Sequence, residues 1–174
     1  MANTKTLVDS SARREIVNRL LSGESAVWVL IESGNKEKDD RAVVEIEKAI
    51  AKAEAELKIP DGVLTVAEAR KISAGNERDL NATLRSSIPL KIKFSLMRIA
   101  RTNPEESIFR EMLLHMESDL GEFRNEPIVF PVFGRGRVLE PLIARGINCA
   151  NMFEHSSYFC GACSCEIKNQ NPGV

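Results

Sequence analysis

No charge of one sign dominates this chain. Its 24 Lys+Arg stand against 25 Asp+Glu for a net charge of −1, with no block of like charge. That balance excludes the basic footprint of a nucleic-acid binder and the polybasic patch of a membrane-surface protein. Long apolar runs are also missing. The longest, Ala26 to Ile31 and Ile128 to Phe133, fall far short of the ~20 residues that cross a bilayer, so no membrane insertion is expected. Met1-Ala2-Asn3-Thr4-Lys5-Thr6 lacks the apolar stretch of a secretory leader, so export of the chain as written is not expected to use one. There is no internal repeat, Gly-x-Ser-x-Gly, Walker loop, dinucleotide fingerprint or His-Glu-x-x-His, which disfavours a hydrolase or a nucleotide-dependent enzyme and implies no cofactor. Cysteine does not occur before position 149.

What is there is the pattern of one folded domain. The 174 residues are 43% hydrophobic and 28% charged, enough to bury a core of their own. Asp9 and Ser10 can cap a helix over 12–21 with Ile16, Val17, Leu20 and Leu21 on one side, ended by Gly23. Ala26 to Ile31 is continuous, apolar and rich in β-branched residues, the mark of a strand buried on both faces. Ser33 to Asp40 then leads into a long helix with Val43, Ile46, Ile50, Ala53 and Leu57 on its inner face.

Residues 60–89 are polar and small, and are expected to be an insertion holding a short helix over 65–73. Leu90 to Leu96 alternates as a second strand. Asn103-Pro104-Glu105-Glu106 opens a helix with Ile108, Phe109, Met112, Leu113 and Met116 as its stripe, which places Met112 and Met116 in the core. Pro127 to Leu139 predicts a hairpin turning at Gly134-Arg135-Gly136. Pro131, without an N–H, rules out a uniform ladder there. Asn148 caps a last helix through Phe159, closed by Gly161, and a Cys-rich tail spans 160–174.

The order is therefore an N-terminal helical extension over 1–23, a βαβ unit and a ββα unit, which predicts a single α/β domain with a mixed four-stranded sheet flanked by helices. At this point the sequence resembles the thioredoxin-like family, whose elements follow this order and whose third strand is preceded by a cis-proline. Pro127 stands at the matching place. The tail, with Cys160-Gly161-Ala162-Cys163-Ser164-Cys165, is similar to that of a group of bacterial thioredoxin-like proteins without the usual dithiol, a resemblance that implies exported precursors with an upstream domain. The departure is in the loop after the first strand, where redox-active members carry Cys-x-x-Cys. Here Ser33 to Asp40 contains no cysteine and three acids, Glu37, Asp39 and Asp40, which disfavour a thiolate.

Three readings follow. Cys160, Cys163 and Cys165 are redox candidates, although the negative end of a helix slows a thiol at position 160. Cys160, Cys163 and Cys165 with either Cys149 or His155 are candidate ligands of a structural zinc or iron–sulfur site; inert thiols with Cys149 and Cys160 in the core are the plain alternative. The third reading is a non-catalytic binding module, in which a groove at Ser33, Gly34, Asn35 and Pro127 receives an extended peptide or another protein domain, as the resemblance implies. Gly134-Arg135-Gly136-Arg137 reads either as a hairpin with solvated arginines or as an anion loop. His115 and His155 read as packing or surface residues, and Asn81-Ala82-Thr83 matches a glycosylation acceptor. Compartment is tied to the thiols, since a stable disulfide belongs to an oxidising location.

Overall fold

A computed structural model describes residues 10–59, 63–65, 84–86, 88 and 91–161. Helix α1, Ser11–Leu21, is capped by Ser10, whose hydroxyl accepts the Arg13 amide. It buries Ala12, Ile16 and Leu20, while Val17 and Leu21 face outward, so the apolar stripe is narrower than the sequence implied. Gly23 follows at φ 100°, a conformation only glycine adopts without strain. Strand β1, Ala26–Ile31, is buried throughout. Helix α2, Lys36–Glu56, starts within the polar stretch: the Asn35 side chain accepts the Glu37 and Lys38 amides and acids occupy its first turn.

Within the predicted insertion, β2 (Val63–Thr65) and β3 (Leu84–Ser86) pair in parallel as a separate two-stranded sheet. The short helix expected over 65–73 lies outside the described residues, apart from Thr65, which closes β2. Strand β4 is Phe94–Ile99, four residues later than the alternation suggested. Lys91 and Lys93 hydrogen-bond Ser25 instead of joining the ladder, because β1 begins only at Ala26.

Helix α3 is Ser107–Leu114. Asn103 does not cap it; its side chain accepts the Glu105 amide in the preceding turn. Met112 and Met116 are exposed, contrary to the core placement expected of them, and Leu113 is the buried residue of this helix. After a 3₁₀ turn at Leu120–Phe123 come β5 (Ile128–Phe133), β6 (Arg137–Val138) and β7 (Leu142–Ile143). Helix α4, Cys149–Cys160, is capped by Asn148 and stopped at Gly161.

The main sheet has five strands where four were expected: it runs β4-β1-β5-β6, with β1 parallel to β4 and antiparallel to β5, and the short β7 also pairs with β5. Pro131 lies opposite Trp28 within a continuous β1–β5 register. On the outer side of β5, β6 covers Val132 and Phe133 and β7 covers Ile128 and Val129, so the ladder is broken where the proline stands. Alternate residues of β1 feed two cores, as a strand's period of two requires. Ala26, Trp28 and Leu30 meet Ile46 and Ala53 of α2 and Met152 and Phe159 of α4, while Val27, Val29 and Ile31 meet Ile16 and Leu20 of α1, Leu113 and Leu120. This is a mixed α/β architecture with helices on both faces. Among the described residues no helix is long and apolar enough to cross a membrane.

Candidate functional site

Three chain segments leave the sheet at the same end, because Ile31 is paired both with Ile99, the last residue of β4, and with Ile128, the first of β5. The segments are 32–35, 100–103 and 125–127. A mixed sheet leaves a crevice where neighbouring connections diverge beyond the carboxyl ends of its parallel strands, and ligands favour such crevices.

The first wall is fixed by Asp39, only 4% exposed in the first turn of α2. Its carboxylate accepts the Ser33 amide at 2.7 Å, the Ser33 hydroxyl at 2.8 Å and the Gly34 amide at 3.1 Å. Asn35 caps the helix. The polar groups of this loop are thus spent on one another and on the helix start. The second wall is tied on by cations: Lys38 donates to the Asn125 carbonyl at 3.1 Å and pairs with the Glu126 carboxylate. Arg101 donates from Nε to the Glu32 carbonyl at 3.0 Å and from Nη2 to the Glu126 carbonyl at 3.3 Å. Arg110, on α3, donates from Nη1 to the carbonyls of Arg101 and Asn103.

Ser33, Gly34 and Asn35 lie on the connection leaving β1 and Pro127 ends the segment entering β5, at the same end of the sheet. Pro127 is buried, and its carbonyl accepts the Ala144 amide at 3.0 Å. No peptide bond among the described residues is cis, so the cis geometry that the family resemblance implied for Pro127 is absent.

Sequence reasoning missed the arginines. Arg101, Arg110 and Arg124 line one cavity of about 460 Å³, with Glu111, His115 and Gly121 also on its wall. Burial, followed by the charge of Arg110, lowers the Arg101 pKa from its ordinary value; Arg124 adds to this and Asp39 and Glu111 oppose it. The guanidinium still stays charged at neutral pH. Arg110 keeps only 14% of its side chain exposed and has Glu111 at 3.6 Å. The one local signal was Arg101 itself, standing just past the end of a strand parallel to β1.

The cysteine cluster is not assembled among the described residues. Cys163 and Cys165 lie outside them, as does Asn81-Ala82-Thr83. Cys149 and Cys160 are the first and last residues of α4, and at 1.5 Å per residue they stand about 16 Å apart. That span is too great for one metal ion or a mutual disulfide. Both thiol residues pack against the core on the α2–α4 face. No group of three or more His, Cys, Asp or Glu side chains able to hold a metal occurs among the described residues. His155 lies against Trp28, with ring centres 6.4 Å apart, and His115 is exposed. The glycine turn matches its expected conformation, with Gly134 and Gly136 at φ 59° and 85°. Comparison with protein-family models, curated proteins and solved structures returns no match.

Proposed function

We propose that this chain is a non-catalytic binding module of thioredoxin-like topology, whose ligand face is the crevice at the carboxyl end of β1. The observation that carries the reading is the loop at Ser33–Asn35: where a dithiol enzyme needs a reactive thiol at a helix start, this loop offers none and is locked by hydrogen bonds to Asp39. The order of strands and helices supports the topology. The trans peptide before Pro127 is a departure from it, and the proline is buried. The redox reading rests on Cys163 and Cys165, which lie outside the described residues, and Cys149 is too far from Cys160 to complete a pair with it.

Two measurements test the reading. In a disulfide-reduction assay driven by dithiothreitol, the protein should do no better than glutathione at equal thiol concentration, and amide chemical shifts recorded against unstructured random decapeptides should move at Ser33–Asn35 and Asn125–Glu126. Catalysed reduction that Cys160→Ser abolishes, or an unresponsive crevice, overturns it.

A further inference from the structure

Arginine donors are left over in the crevice. Arg101 commits Nε and Nη2, Arg110 commits Nη1 to carbonyls and has its Nε 3.6 Å from the Glu111 carboxylate, and neither the Nη1 of Arg101 nor the Nη2 of Arg110 bonds any described residue. Arg124 is exposed, and its guanidinium makes no hydrogen bond or ion pair among the described residues. Arg101, Arg110 and Arg124 thus line one cavity, and carbonyls hold the first two guanidiniums in place. A guanidinium held in this way suits an oxyanion better than a mobile ammonium does, because its planar donors keep fixed positions.

We propose that the cavity lined by Arg101, Arg110 and Arg124 binds the dianionic head of a small phosphate monoester, an assignment that rests on the crevice being the ligand face. Three guanidiniums supply enough charge and donors for the three terminal oxygens of a phosphate, whereas a carboxylate has two. The cavity, about 460 Å³, greatly exceeds the roughly 30 Å³ that a water molecule occupies in the liquid, so an organic group fits beside the phosphate. Glu111 and Glu117 share the wall and limit the negative charge that the cavity accepts, and the chain's net charge of −1 gives no attraction to a polyanion. The ligand is accordingly a single monoester and not a nucleic-acid backbone. Burial is the largest cause of the lowered Arg101 pKa, and the repulsion from Arg110 and Arg124 that adds to it is relieved by such an anion.

Calorimetric titration of the full chain with phenyl phosphate, inorganic phosphate and benzenesulfonate, at constant ionic strength, tests this. Phenyl phosphate should bind best, inorganic phosphate more weakly and competitively, and benzenesulfonate weakest. Arg124→Ala should weaken phenyl phosphate at least about tenfold, with Arg124→Lys intermediate. Gly121→Leu gives a second variant that keeps all three arginines: a Cβ at Gly121 meets nothing within 4 Å, so the added side chain should occlude the cavity without unfolding the protein. Phenyl phosphate heats no greater than those of sodium chloride, unchanged affinity in both variants, or inorganic phosphate equal to the monoester would overturn the assignment. If the decapeptides still shift the Ser33–Asn35 amides, the binding-module reading survives that failure; if they do not, both fall.

Discussion

Glu106 accepts the backbone amide of Ala12 at 2.8 Å across 94 residues of sequence. The same carboxylate oxygen takes the Ser11 hydroxyl at 2.8 Å, so the start of α1 is capped by a side chain from the turn that leads into α3. Glu106 is 3% exposed. It stands at the N-cap position of α3 yet makes no cap bond there, because its side chain is given to the other helix. The contact fixes α1 against the sheet face that holds Val27, Val29 and Ile31.

Removing that carboxylate should therefore loosen α1 more than α3. Glu106→Ala is expected to cost about 1–3 kcal/mol, the usual penalty for stranding buried donors, read from urea midpoints. The pH dependence has a definite sign. Burial, the largest single influence, raises the Glu106 pKa, but the Ser10 hydroxyl, the Ala12 amide, the Ser11 hydroxyl and the Arg13 charge together outweigh it, and the net direction is down. A carboxyl depressed on folding stabilises fully above its unfolded pKa, and that contribution is lost as pH falls through the folded value. The gap between wild type and Glu106→Gln should hold from about pH 7 to 5 and shrink below about pH 4. A gap that widens on acidification would contradict the assignment.

Asp39 does for the β1–α2 loop what Glu106 does for α1. Asp39→Ala leaves the Ser33 and Gly34 amides without their acceptor and is expected to cost about 1–3 kcal/mol. Hydrogen exchange at Ser33 and Gly34 should quicken by more than the global loss explains, since the loop then opens locally. Equal acceleration throughout β1 would mean that the loop is held by something else.

The strands and helices were legible because local pattern encodes them, and the errors mark where tertiary pairing decides. Alternation in Leu90 to Leu96 was real, but the ladder starts at Phe94 because its partner starts at Ala26. Met112 and Met116 fit a helical stripe, yet α3 turns Leu113 toward the sheet and leaves both methionines outside. The loop at Ser33–Asn35 was found from its position after a buried strand. The arginine cavity was not, since Arg101, Arg110 and Arg124 come from three different segments and nothing in their spacing announces convergence.

Two glycines separate backbone conformation from space. A Cβ added at Gly34 or at Gly121 meets nothing within 4 Å, but Gly34 holds φ +87°. Gly34→Ala should thus lose about 1–2 kcal/mol through the left-handed conformation alone. Gly121→Ala should fall within about 0.5 kcal/mol of wild type, as substitutions away from special backbone positions do. Thermal unfolding of the two variants side by side decides the point, and equal stability would place the loop in a different conformation.

Phe159 closes the aromatic cluster on the α2–α4 face. Its ring stacks on Phe133 at 5.3 Å between centres and lies tilted to Trp28 at 5.8 Å and Phe94 at 6.0 Å, so one side chain joins the last helix to β1, β4 and β5. At 2% exposure, truncation removes both the transfer free energy and the ring contacts, and leaves a cavity that the surrounding strands and helices cannot collapse to fill. Phe159→Ala is expected to cost about 3–5 kcal/mol and Phe159→Leu clearly less. Because Cys160 follows directly and packs against the same cluster, loosening this turn should also speed its alkylation, whereas Cys149 at the other end of α4 should change little. Chemical unfolding followed by Trp28 fluorescence, with site-resolved mass analysis after brief iodoacetamide exposure, measures both effects. Uniform acceleration at the two cysteines would show that α4 opens as one unit.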